Sequence, residues 1–425
     1  MFYFILAAIV YVAIILLCYL VHRMLTSAVR PGDSFNSLKT VTFGDESAVT
    51  ATRAASIISV LLIFLFWGAF TGSSWAPIHA PGPFVGDTSF TYTAEAPDGS
   101  TDDATVTFRV FPVGDEVTAP EVAPGDGFAK NDSGTVGAWR SKLIRVDNND
   151  GFTKAEGWRI VAIDGQPIEP EGEVDVADGR VVLTAKGTPN FYPAKGWQME
   201  PIWLPAPEAV VGRVVEIASE GYQNSDLAKH VGMSLFRVIA GFLAGALIGI
   251  PLGYAMGLSS WFRGWFDPIV EFMRPVPPLA LIPLVIIWAG IGEEGKVILL
   301  FLASLWIMTI AARSGVSGVR ISKIHAAYSL GASKWQILRH VIVPNSLPDI
   351  FTGARVAMGV CWGTVVAAEL VAANEGAGMM IMVASKFQLT DIVIMGIIII
   401  GVIGYGIDIL MRMAENWLIP WKGRG

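Results

Sequence analysis

Charge is scarce in this chain: of 425 residues only 16% are Asp, Glu, Lys or Arg, while 53% are hydrophobic. With a mean hydropathy of +0.53, the chain carries more apolar surface than a soluble fold can hide, which excludes an ordinary soluble enzyme and points to a membrane protein. Cysteine is almost missing. Cys18 and Cys361 both lie in apolar runs, where a thiol acts as a small hydrophobe, and no spacing suits a disulfide framework or a metal. A GxxxxGK[ST] phosphate loop is absent too, so the chain is not expected to hold ATP in that way. These absences leave no catalytic residue, no metal ligand and no cofactor of its own to expect. No nucleic-acid partner is implied either.

What is present is apolar length. A helix needs roughly 20 mainly apolar residues to cross the hydrocarbon core, and seven segments approach this: about 1–22, 55–72, 232–256, 276–291, 295–313, 348–372 and 391–412. The first has neither a basic leader nor a small-residue cleavage pattern, so it reads as an N-terminal anchor that stays. Basic residues in short loops remain on the cytoplasmic side. Arg23, Arg30, Lys39 and Arg53 therefore place the 23–54 loop inside. Arg263 and Arg274 do the same for the loop after the third span, and Arg313, Arg320, Lys323, Lys334 and Arg339 for the stretch before the sixth. Arg412, Lys422 and Arg424 put the C-terminus inside, which leaves the N-terminus outside.

The 73–203 segment differs in kind. Residues 74–200 hold 20 acidic against 10 basic side chains, so the rest of the chain is net positive and the acid is concentrated outside. Runs such as ATVTFRVFPV (104–113), WRIVAIDGQPI (158–168) and RVVLTAKG (180–187) alternate β-branched residues between Gly, Asp and Pro, the pattern of short strands with tight turns. A small extracytoplasmic β domain, inserted between the 55–72 span and the 204–423 core, is the expectation.

Three features inside the spans bear on mechanism. Gly241, Gly245, Gly249, Gly253 and Gly257 recur every fourth residue and share one helix face, a packing ridge that serves either as a seam sliding during transport or as ordinary tight packing. Pro275, Pro277, Pro278 and Pro283 crowd the entry of a span, which must start late or bend. Ionisable residues near the spans are few. Arg313, Arg355 and Asp408 read as interfacial anchors or structural partners, and Glu369 as a residue that lines a path or makes a structural hydrogen bond.

Between two of the most apolar runs lies HAAYSLGASKWQILRHVIVP, His325 to Pro344. Its periodicity gives a helix that stops at Gly331 and a second apolar face ending at Pro344, with Gly331 free to make a sharp turn. In this segment the frame His325-Ala326-Ala327, three residues, Gly331, nine residues, Val341-Ile342-Val343-Pro344 resembles the cytoplasmic loop of ABC importer permeases, whose pattern is E-A-A, three residues, G, nine residues, I-x-L-P. His325 stands where the pattern has Glu, which removes any salt bridge made from that position. LPAPEAVV (204–211), FDPIVEFMRPVPPLALIPLVIIWAGIG (266–292), WGTVVAAELVAA (362–373) and LIPWKG (418–423) are similar to the nitrate/sulfonate/taurine permeases, most of all to their taurine-transporting members.

The resemblance covers about 55–72 and 204–423. It implies an all-α polytopic membrane protein, a type I importer core of six spans, to which this chain adds the N-terminal span and the β insertion. It further implies a permease in a bacterial inner membrane that pairs with a second copy of itself and with membrane lipid, works with two ATP-binding cassette subunits that bind the ATP and Mg, and receives substrate from an extracytoplasmic binding protein. The loop 318–345, through His325, Ala326, Ala327, Gly331 and Pro344, would couple to the ATPase. Trp362, Thr364 and Glu369 are the path candidates. Rival readings are a membrane-anchored sensor or assembly protein, which lacks an inner signalling module here; a secondary transporter, which lacks repeats and buried ion ligands; and a permease for nitrate-like anions.

Overall fold

A computed structural model describes residues 9, 12–21, 24, 53–112, 114–115 and 117–421. Val12–Val21 is an apolar helix; the rest of the expected 1–22 anchor and nearly all of the 23–54 loop lie outside the described residues. The chain divides into two compact units, residues 1–66 and 67–425. The boundary falls within α1 (Arg53–Thr71), which is apolar without interruption from Val60 to Trp67.

Nine strands follow among the described residues. β1 (Gly86–Glu95), β2 (Thr101–Phe111), β3 (Asp132–Gly137), β5 (Arg159–Ile163) and β6 (Gln166–Pro167) form a sheet of order β3-β2-β1-β5-β6. β4 (Lys142–Leu143), β7 (Glu173–Val176), β8 (Gly179–Leu183) and β9 (Pro189–Pro193) form a second, of order β4-β9-β8-β7. Pairing is antiparallel except between β2 and β3. The three runs read as strands from sequence fall on β2, on β5 with β6, and on β8.

Alternation explains the fold of this module: every second residue of β1 and β2, among them Phe90, Tyr92, Val106 and Phe108, is buried on one face. The two sheets meet where Phe108 stacks on Phe191 of β9 at 4.9 Å between ring centres. Where acid does go inside, its chemistry shifts. Burial and the neighbouring Asp150 charge push the Asp132 carboxyl up to about 7.

The helical part begins with α2 (Pro207–Glu220) and the 32-residue α3 (Leu227–Leu258), whose N-cap Asp226 accepts a hydrogen bond from the Lys229 N–H at 3.0 Å. α3 lies along α6 (Glu293–Ser317), and the glycine ridge is the reason the two approach so closely. A Cβ on Gly241 would strike Leu300, one on Gly245 would strike Ser304, and one on Gly249 would come within 2.7 Å of the Leu305 carbonyl. Gly253 and Gly257 meet Ala312 and Val316 in the same way. Lipid tails are as apolar as the side chains, so helix contact in a membrane depends on such close van der Waals fit.

Between these helices the expected span at 276–291 is only the second arm of a bent pair, whose first arm lies in the stretch read as a loop. α4 (Ser260–Met273) and a helical stretch from Pro278 through α5 (Ile282–Ala289) meet at 93°. Pro275, Pro277 and Pro278 supply no N–H to carry the first helix onward, so the chain turns there. Pro283 needs no such break, because it sits in the first turn of α5, where a missing N–H costs nothing.

α7 (Ile321–Ser329) and α8 (Lys334–Ile337) form the helix, break and helix read from sequence. The second does not end at Pro344. It passes through a π-turn at Leu338–Ile342 into α9 (Val343–Ala372), with Pro344 in the first turn of that helix, where proline is tolerated. α10 (Ala377–Lys386) and α11 (Thr390–Leu418) complete the chain. Among the described residues, five helices are long and apolar enough to cross a membrane, six when the bent pair counts as one. α2 and α10, both absent from the reading of the sequence, are too short to span.

Candidate translocation core and coupling surface

At the end of the bundle where α3 and α6 begin and α9 finishes, charge is buried. Along α3, His230, Ser234 and Arg237 are spaced by four and three residues and so share one face. All three are fully buried. Arg237 grips Glu293 at the start of α6 with two parallel bonds, Nε to Oε2 at 2.5 Å and Nη2 to Oε1 at 2.7 Å, and reaches Glu369 of α9 through Nη1 at 2.5 Å. Nη1 also donates to the Glu375 carbonyl at 2.8 Å. Lys296 donates to Glu293 at 2.8 Å from one turn further along α6.

The remaining valences of Glu369 are filled as well. The Ser234 hydroxyl donates to it at 2.8 Å, and the Gly378 N–H, at the start of α10, at 2.9 Å. His230 takes the Gly376 N–H on Nδ1 at 3.1 Å and donates from Nε2 to the Tyr222 carbonyl at 2.9 Å, an arrangement that fixes the neutral Nε2–H tautomer. A buried charge costs several kcal/mol unless paired and hydrogen-bonded, and here the partners come from three helices and the turn before α10. The cluster therefore ties α3, α6, α9 and the 375–378 turn into one body.

This places the three path candidates. Glu369 sits inside the ionic cluster, 1% exposed. Trp362 is buried and donates its indole N–H to the Ile400 carbonyl at 3.1 Å; Thr364 is buried on the same helix. Reading the sequence missed Arg237, the partner that matters most, although it lies within the expected 232–256 span; the signal available was the His230, Ser234, Arg237 spacing. The other charged residues find partners too. Arg313 pairs with Asp267 and Glu271 of α4, and Arg355 with Asp408.

At the opposite end lies the 318–345 segment, the candidate for coupling. α7 closes at Gly331, whose φ is +83°. The Ala332 N–H reaches back to the Ala327 carbonyl at 3.1 Å and the Gly331 N–H to Tyr328 at 3.0 Å, a helix end that wants glycine at the left-handed position. Ser333 then caps α8: its hydroxyl accepts from the Gln336 N–H while Gln336 Oε1 accepts from the Ser333 N–H at 2.8 Å. The underside is apolar, with Ile324, Ala327, Ile337 and Ile342 packed on Val316 and Tyr254. The outer side exposes His325, Ala326 and Gly331 beside Tyr328, Leu330 and Trp335. Pro344 is half-buried in the run into α9. The arrangement is a capped knuckle with Tyr328, Leu330 and Trp335 exposed on its outer face.

Residues 212–419 match the family of binding-protein-dependent transport system inner membrane components. The chain is also 44% identical over 226 residues to the taurine transport system permease protein of Escherichia coli, covering 53% of this chain and 82% of that one. The chain belongs to this family of ABC importer permeases. The permease is 37% identical over 227 residues to the putative aliphatic sulfonates transport permease protein of Escherichia coli, covering 53% of this chain and 84% of the relative. It is 29% identical over 222 residues to the nitrate import permease protein of a Synechocystis strain, covering 51% and 81%. Family membership makes it a multi-pass inner-membrane protein and implies ATP-binding subunits and a substrate-binding protein as partners. The matched residues begin beyond the β strands.

Proposed function

We propose that this chain forms the translocation path of an ATP-driven importer for taurine or a related small sulfonate. The observation that carries the reading is 44% identity extending over four fifths of a taurine permease; the more distant nitrate permease at 29% makes nitrate-like anions the second reading. Two copies pair in the membrane, and each presents its 318–345 segment to one of two ATPase subunits. ATP and Mg bind there, and this chain contributes no catalytic group. The support for coupling is the knuckle itself: a turn fixed by Gly331 and the Ser333 cap, with His325, Ala326 and Ala327 on the helix before it and apolar side chains on its outer face. The β module and the N-terminus face the extracytoplasmic side, where the binding protein docks, and the C-terminus faces the cytoplasm.

Reconstituted with its ATPase and binding protein, the permease is expected to accumulate labelled taurine in proteoliposomes only when ATP is supplied. Uptake of nitrate but not of taurine would transfer the assignment to the second reading. For sidedness, a cysteine placed at Ser100 in the β module should react with a membrane-impermeant thiol reagent added to intact cells, and one placed at Ser329 should not. The reverse pattern refutes the orientation.

A further inference from the structure

The break in the bent span leaves a half-open space. A cavity of about 210 Å³ lies between Met273, Arg274 and the Pro275–Pro278 turn on one side and Trp306 and Ile310 of α6 with Val360 of α9 on the other. One water needs only ~15 Å³, so there is room for a small solute. Trp306 is near the middle of α6 and Val360 near the middle of α9, so the cavity lies at mid-depth, between the ionic cluster and the coupling segment. Irregular backbone persists at that depth only where protein encloses it or where it lines a path.

One residue of the wall carries a donor without a partner. Trp306 Nε1 is covered and makes no hydrogen bond, and it is the one such side-chain atom on a membrane-spanning helix among the described residues. An indole N–H inside a protein normally finds an acceptor, as that of Trp362 does. A phenylalanine would fill the same wall without leaving a donor unpaired. Arg274 adds positive charge: its nearest carboxylate, Glu271, is 3.8 Å away, and two thirds of its side chain is exposed.

We propose that this cavity is a transient binding site for the sulfonate group of the substrate, with the Trp306 N–H turning to donate to a sulfonate oxygen and Arg274 offsetting the charge. The proposal rests on the sulfonate reading above. A sulfonate stays anionic and offers three acceptor oxygens, so it demands donors and positive charge and has no use for carboxylates. A path must also release what it binds. One neutral donor and one solvated cation between apolar walls give a grip of that modest strength.

The test uses the complete complex in proteoliposomes, with labelled taurine uptake and ATP hydrolysis stimulated by loaded binding protein measured together. Trp306→Phe keeps the ring and removes the donor. Uptake per ATP hydrolysed should fall about tenfold, as for one lost hydrogen bond to a charged group, while stimulated hydrolysis stays near wild type. Leu302→Trp, which fills the cavity from its wall, should do the same. A structural role for Trp306 predicts instead that uptake and hydrolysis decline in parallel, and that result, or wild-type uptake by Trp306→Phe, overturns the site. Should the wild-type complex carry another anion and not taurine, the substrate reading fails separately, and the same comparison with the carried anion still decides the cavity.

Discussion

An Arg237→Met permease is expected to lose about 3–5 kcal/mol of stability, the usual result of stripping one partner from a buried ion pair. The loss comes less from the bonds removed than from the charge left behind. Glu369 is 1% exposed and would keep only the Ser234 hydroxyl and the Gly378 N–H to stabilise it. Glu293 would fare better, because nearly half of its side chain is exposed and Lys296 stays beside it. That asymmetry makes the decisive measurement a cycle. Arg237→Met with Glu369→Met removes both buried charges and leaves apolar groups of similar length, so the double variant should unfold at a higher temperature than either single one. It should still fall short of wild type, since Ser234 and Gly378 lose their acceptor. Thermal unfolding in detergent, followed by the loss of the monodisperse species, reads all four proteins. Additive losses in the double variant would mean that the two side chains do not act as a pair.

That cluster also shows where the sequence stops being legible. Glu369 stood out in VVAAELVAA because a carboxylate among small apolar residues has no local excuse. Arg237 did not, since it lies near the start of a long apolar run where a basic residue passes for an interfacial anchor, and its partners come from positions 132 and 56 residues away in the chain. Distance in sequence hides such a pair. The glycine ridge was readable for the opposite reason: a strict spacing of four declares a face, although only the structure says that Leu300, Ser304 and Met308 of α6 fill it. Proline was read correctly as a break at 275–278, but the 93° turn depends on what α6 and α9 leave free, which no local pattern records. Pro344 misled for a related cause. Proline marks a helix end in isolation, yet a π-turn just before it lets α8 run on into α9.

The knuckle gives the sharpest expected effect on function. Gly331 has φ +83°, a conformation that costs a β-branched residue on the order of 1–3 kcal/mol, and within the chain itself a Cβ there would meet nothing within 4 Å. A Gly331→Val permease should therefore fold and assemble almost normally, because the strain is local and no core is invaded. Coupling is another matter. Whatever seats on the exposed face of Ala326, Gly331 and Trp335 meets a bent turn and two added methyl groups, so stimulation of ATP hydrolysis by loaded binding protein should drop at least about tenfold while basal hydrolysis persists. Gly331→Asn separates the two causes. Asparagine enters the left-handed region at little cost, so a coupled Asn variant assigns the defect to the turn, and an uncoupled one assigns it to contact with the ATPase. A well-assembled Val variant with wild-type stimulation would falsify the coupling role, and the 318–345 segment would then be no more than a link between α6 and α9.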